Sequence, residues 1–302
     1  MQLHRMIKVP QWLNRNVFGF SLASFFSDVS QEMSLALLPT FLMTLVSQAA
    51  APISMGIISG VSEAVAYATR LPFGWLSDRY NHKKLLIGTG YGLSGLFLAT
   101  ISLATHAWHV LLARSMSRLG KGMRDPARDS LLAKSVEKDH YGAAFGFNRA
   151  LDTLGAVMGL VLLEFIAPYF SVRSLFVVCA APAFLAVLTI VLVVNIKNNV
   201  RNHNYPLSFF AFFRKMPTVF LVFVGIVGLF SIVYAHVTLF LMFTQYFFKF
   251  GTTQAIRFGA FLYIIFNIVR FVTEGMIGIA SDYVNRYVLL AIMSYGSFAL
   301  VA

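Results

Sequence analysis

Charged side chains are scarce in this chain. They make up 12% of its 302 residues, about half the share of an ordinary soluble domain. That shortage excludes a chain whose surface is mostly solvated by water. Acidic residues are scarcer still, 12 against 24 Lys and Arg, which leaves a formal net charge of +12. Such an excess can signal nucleic acid. Here the cations fall in short loops between apolar runs, as they do when they orient a protein in a membrane, so nucleic acid is not an expected partner. Cysteine occurs once, at Cys179 inside an apolar run. One thiol excludes an internal disulfide and a cysteine-rich metal site. His106 and His109 lack an acidic companion, and no nucleophile elbow, zinc-binding helix or phosphate-cradling glycine loop stands in a suitable context. No enzyme activity, metal or cofactor is therefore expected.

Hydrophobic residues are abundant, at 58% with 30 Phe and a mean hydropathy of +0.73. An apolar run of about twenty residues crosses a bilayer as a helix. Such runs fall at 16–45, 53–76, 85–105, 107–126, 142–167, 173–195, 217–247, 255–280 and 287–302. They show no period of two, and lipid cannot satisfy an open sheet edge, so an all-α polytopic membrane fold is expected. The first run holds Asp28 and Glu32 and lacks a small-x-small exit, so it reads as a spanning helix and not as a cleaved signal. Gly56/Gly60, Gly88/Gly92, Gly142/Gly146 and Gly155/Gly159 stand four apart and predict close helix packing.

The cations alternate by loop. Arg5, Lys8 and Arg15 precede the first run, and Arg79, Lys83 and Lys84 follow the second. Arg118, Lys121, Arg124, Arg128, Lys134 and Lys138 cluster around the end of the fourth, and Lys197, Arg201, Arg214 and Lys215 follow the sixth. The intervening loops carry only Arg173 and Lys249. The positive-inside rule then predicts an inner-membrane protein with a cytoplasmic N-terminus. The polar, Asn-rich stretch 197–216 reads as a cytoplasmic linker between a six-helix bundle, 1–196, and a partial second bundle, 217–302. Arg118, Lys121, Arg124 and Arg128 form a stripe at helical spacing. With Pro126 read as ending the fourth helix, they are expected on a surface helix facing anionic lipid headgroups.

One loop carries a motif. Gly74, Ser77, Asp78 and Asn81 return at the same spacing as Gly278, Ser281, Asp282 and Asn285, which points to an internal duplication of the kind solute carriers use. The loop from Gly74 through Asp78 and Arg79 to Lys83 and Lys84 resembles the signature between helices two and three of major facilitator superfamily transporters. The copy at Gly278 to Arg286 falls where that family repeats it. Arg114 resembles the arginine of the family's helix-four motif. The segments Arg118–Asp129 and Phe145–Ala156 are similar to a bacterial branch associated with drug or metabolite efflux. Asn81 stands where the loop has glycine in the family, and Leu160 where the exporter motif has proline. The resemblance implies a secondary transporter that works by alternating access. It implies a small-molecule substrate, protons as the coupling ion and a monomer when full-length. The family has twelve helices, so the alternative is a C-terminally truncated, non-transporting fragment or one half of a split transporter.

Ionisable residues at bilayer depth need a partner or a watery cleft. Asp28 and Glu32 lie one turn apart in the first helix, Glu63 is in the second, Arg114 in the fourth, Arg149 and Asp152 in the fifth, and Arg270 and Glu274 in the eighth. All are expected to face the bundle interior, and Asp28, Glu32, Glu63, Arg114, Arg149, Asp152 and Arg270 are expected as the proton and substrate residues. Asp28 and Glu32 cannot both stay ionised cheaply, so one is expected to carry a proton while Arg114 holds the ionised form. Arg149 and Asp152 have the spacing of a local pair. Gly74, Asp78 and Arg79, with Gly278 and Asp282, are implied by the resemblance to latch the two bundles on one face.

Overall fold

The computed structural model describes residues 12–47, 49–79 and 82–195, together with Pro10 and isolated positions between 217 and 276. The linker, most of the second bundle, and Arg270, Glu274, Gly278 and Asp282 lie outside the described residues. The described part is helical. It comprises α1 (Arg15–Leu45), α2 (Ala51–Arg79), α3 (Lys83–Thr100), α4 (Ala107–Lys134), α5 (Tyr141–Ile166) and α6 (Val172–Leu192), with single 3-10 turns after α3 and on either side of α5. No strand occurs among the described residues.

Helix starts follow side-chain capping. Asn14 accepts from the N–H groups of Asn16 and Val17, both at 3.0 Å, and opens α1. Ser171 accepts from Ser174 N–H at 3.2 Å and opens α6. Prolines do not stop these helices. Pro39, Pro72, Pro126 and Pro182 all lie inside them. The expected end of the fourth helix at Pro126 is therefore wrong, since α4 runs on to Lys134. Packing against α2 and α3 accompanies its continuation past the missing hydrogen bond, which packed membrane helices tolerate.

α1 packs against α5 and α6, α4 against α2 and α3, and α3 against α6. The six helices thus form an arc running α5, α1, α6, α3, α4, α2. Between α1 and α2, and between α4 and α5, contact is sparse. Polar side chains face inward: Ser21, Ser24, Ser27, Ser30, Gln31 and Ser34 of α1 are all buried, whereas Leu85 is 67% exposed and Phe165 70%. A water-soluble fold places these groups the other way round, so the outside of this bundle is suited to lipid. By length and composition, Lys83–Leu103, Lys138–Tyr169 and Val172–Leu192 are apolar enough to cross a membrane. In α1, α2 and α4 the inward-facing polar groups lower the average.

Small residues set the helix crossings, though not at every expected pair. A side chain on Gly159 would come within 2.6 Å of the Val29 carbonyl oxygen, and one on Gly155 would strike the Phe25 carbonyl, so these two glycines let α5 touch the α1 backbone. Gly90 and Gly120 face each other across α3 and α4. Gly56, Gly60 and Gly88 meet nothing within 4 Å, and Gly92 meets only Val187 at 3.9 Å. The expectation of tight packing at those two pairs is thus not met within the bundle. Gly155→Leu is expected to force α1 and α5 apart at a cost of about 1–3 kcal/mol or more. Size-exclusion profiles in detergent should show loss of the folded species for Gly155→Leu and a native profile for Gly56→Leu.

Candidate functional site

The inner faces of α1 and α4 meet in an antiparallel ladder. Arg128 Nη1 donates to Ser24 Oγ at 2.8 Å, Arg124 Nη2 donates to Ser27 Oγ at 2.8 Å, and Gln31 Nε2 donates to Ser117 Oγ at 3.3 Å. Asn148 of α5 joins at Ser21 and Ser24. Sequence reasoning missed this serine stripe. Its signal was available in Ser24, Ser27, Gln31 and Ser34, which recur at helical spacing on one face.

The arginines of α4 are not a surface stripe. Arg118, Arg124 and Arg128 are 5%, 1% and 3% exposed, which excludes them as headgroup ligands. Arg118 and Arg124 lie on the face of α4 that meets α2 and α1, and the continuation of α4 through Pro126 adds Arg128 to that inward side. Each has a partner. Arg118 Nη2 lies 2.9 Å from Glu63 Oε1 of α2. Arg124 sits over the Tyr91 ring, 4.3 Å from its centroid, and donates to Ser94 Oγ at 3.0 Å. Arg128 forks onto Asp129 Oδ1 at 3.0 and 2.9 Å. Buried Asp125 gathers three cations: Arg70 of α2 at 3.0 Å, Arg124 at 3.6 Å and Arg128 at 3.8 Å. Arg70, Arg124 and Asp125 were not among the expected site residues.

The ladder's register sets the level of the carboxylates. It places Asp28 opposite Lys121, with Arg114 about two helical turns farther along α4, nearer the level of Glu32. Asp28 lies within electrostatic reach of Lys121 and also of Asp152 on α5, and Arg128 and Lys121 act on Asp152 as well. Arg114 is buried, and Asp28 and Glu32 are partly buried. Arg149 Nη1 pairs with Asp152 Oδ2 at 3.3 Å. The Arg149 side chain is 47% exposed and that of Asp152 9%. Arg149 sits at the α5 end of the arc, where no described helix covers it.

At the other end of α2, Lys83 Nζ donates to Asp78 Oδ1 and to Ser130 Oγ, both at 2.8 Å, which ties the α2–α3 turn to α4. Arg79 stacks on Trp75, 5.2 Å from the ring centroid. Gly74 lies beside Pro126, and an added Cβ there would make an ordinary contact at 3.5 Å, so crowding within the bundle does not demand glycine. Arg15 and Lys84 do more than mark topology. Arg15 donates to the Val193 and Leu192 carbonyls, and Lys84 to those of Val191 and Val194, so both close the C-terminus of α6. His109 Nδ1 accepts from the His106 and Thr105 N–H groups at the start of α4. Among the described residues, no three His, Cys, Asp or Glu side chains cluster as a metal site would require.

The sequence matches the Major Facilitator Superfamily over residues 20–302. It is 27% identical over 293 residues to an uncharacterized MFS-type transporter of Methanocaldococcus jannaschii, covering 95% of this chain and 72% of that protein. It is 27% identical over 138 residues to the multidrug resistance protein MdtH of Salmonella newport, covering 46% of this chain and 33% of that one. Among solved structures, a bacterial homolog of the human lysosomal transporter Spinster, inward-facing and unoccupied, superposes with a TM-score of 0.56 at 19% identity, over 85% of this chain and 60% of that one. A bacterial homologue of the human drug peptide transporters PepT1 and PepT2 gives 0.55 at 15% identity, over 95% and 56%. These likenesses show the same fold. The inward polar face, the order of helix packing and the match over nearly the whole length agree: this chain is an α-helical membrane protein belonging to the major facilitator superfamily.

Proposed function

We propose that this chain serves secondary active transport of a small molecule by alternating access, coupled to protons and directed to efflux. The observation that supports this reading is the set of ionisable groups on α1, α2, α4 and α5: Arg118 pairs with Glu63, Arg149 pairs with Asp152, and the α1–α4 ladder brings Asp28 to the level of Lys121. Charges at this depth are costly, and a carrier that binds and releases a proton has a use for them. The MdtH similarity supports efflux. Asp28, Glu32, Glu63, Arg114, Arg149, Asp152 and Arg270 are the proposed proton and substrate residues. Gly74, Asp78 and Arg79, with Gly278 and Asp282, are the proposed latch. The Lys83–Asp78 ion pair, which joins the end of α2 to the start of α3, supports that role for the first of these two copies. The loop cations support an inner-membrane location with the N-terminus in the cytoplasm, and a six-helix bundle, linker and second bundle as the domain plan.

The test is uptake into inverted vesicles. Candidate cationic and amphipathic solutes are scanned with and without an imposed pH gradient. Accumulation that requires the gradient and collapses on adding a protonophore is the expected result. Accumulation indifferent to both would remove proton coupling, and no accumulation of any solute would remove transport by this chain.

A further inference from the structure

A second site lies on the outside of the bundle, away from the inward charges. A cavity of about 1160 Å³ opens between the ends of α1, α3, α4 and α6. Its lining includes Arg15, Lys83, Lys84 and Lys134 and contains no Asp or Glu. Lys83 is taken up by Asp78 and Ser130. Arg15 and Lys84 are fixed by the terminal carbonyls of α6, yet each keeps further N–H donors. Lys134 is exposed at the rim. The result is a preorganised cluster of donors with a positive balance.

Below the cations the wall turns apolar. Leu85 and Val191 are 67% and 56% exposed, and Val187 lines the same wall. Gly88 forms part of the floor, where a side chain would meet nothing within 4 Å. A cationic mouth above an apolar trough on a membrane-embedded surface matches one chemistry, a phosphate-bearing headgroup attached to an acyl chain. We infer that this cavity binds an anionic phospholipid, with the phosphate at Arg15, Lys84 and Lys134 and an acyl chain along Gly88, Val187 and Val191. Basic pockets between membrane helices bind anionic headgroups in this way, each nearby cation contributing about fivefold in affinity. The site needs no transport activity to exist.

The test uses the whole chain in nanodiscs containing equal dioleoyl-phosphatidylglycerol and dioleoyl-phosphatidylcholine, with retained lipid read by native mass spectrometry. Phosphatidylglycerol should be retained selectively, and Lys134→Gln should weaken its retention about fivefold. Gly88→Leu fills the trough while leaving every cation in place, so it too should reduce retention; Gly56→Leu, which also meets open space, should not. Equal retention of both lipids would overturn the inference, as would unchanged phosphatidylglycerol retention in Lys134→Gln and Gly88→Leu. Displacement of the lipid by millimolar inorganic phosphate would overturn the lipid as occupant and leave a simple anion site.

Discussion

Asp28→Asn is expected to reduce pH-gradient-driven accumulation to the background of protein-free vesicles, while the protein still inserts and runs as a single species in detergent. The substitution keeps the side chain's size, but it removes the negative charge and the ability to exchange a proton, and it replaces one acceptor oxygen by an N–H2 donor. Asp28 occupies a position where that ability matters. It stands level with Lys121, on a ladder held by Ser27–Arg124 and Gln31–Ser117, and it shares its field with Asp152 on α5. Two carboxylates within reach of each other favour holding one proton between them, and opposing cations favour releasing it. A movement of α1 relative to α4 or α5 would change that balance, which is what coupling requires.

The same variant should retain solute exchange down a concentration gradient, because the binding cleft is not filled or emptied. A variant that accumulates solute as the native protein does, with the same response to protonophore, would exclude Asp28 from coupling. Glu32→Gln is expected to be milder. Glu32 lies a turn away from the level of Lys121, so removing its charge leaves the Asp28–Asp152 relationship in place.

Among the described residues, the helices and most of their limits are legible in the sequence. Long apolar runs interrupted by short cationic loops leave little freedom, and all six described helices fall within a few residues of the expected limits except at the end of α4. That error has one source. Pro126 was read by the rules for helices in water, where an unpaired carbonyl and a ring clash end the helix. Packed membrane helices tolerate both. The continued helix carries Arg128 into the bundle's interior, whereas Arg124 precedes Pro126 and is buried through its contacts with Ser27, Ser94 and Tyr91. Two of the glycine pairs, Gly56/Gly60 and Gly88/Gly92, depart from expectation, whereas Gly155/Gly159 packs closely. Four-residue spacing shows that two glycines share a face, but not whether another helix covers it. Among the charged residues, Glu63, Arg114 and Asp152 could be singled out because charge within an apolar run is conspicuous. Asp125 stands at the expected end of the fourth run, where charge is ordinary, and Arg70 lies within the second run; the tertiary pairing is what sets the two apart.

That pairing gives Asp125 an outsized expected effect. Its carboxylate is the shared anion of Arg70, Arg124 and Arg128, and it is buried with two of them. Asp125→Ala would leave Arg124 and Arg128, one turn apart on α4, facing each other without the charge between them. Removing one partner from a buried ion cluster costs about 3–5 kcal/mol, because the remaining ions keep their desolvation penalty and lose their attraction. Arg128 would retain Asp129, and Arg124 would retain Ser27, Ser94 and the Tyr91 ring, which sets a ceiling on the damage. The expected result is a large drop in thermal unfolding temperature in detergent and loss of the Arg70 tie between α2 and α4, with the Glu63–Arg118 pair still in place. Arg70→Gln provides the comparison: its side chain is 38% exposed and Asp125 would keep two cations, so its unfolding temperature should fall far less. Near-native unfolding of Asp125→Ala would mean that the three arginines are adequately solvated without it. The carboxylate would then be a member of the cleft's charge pattern and not a strut between the two helices.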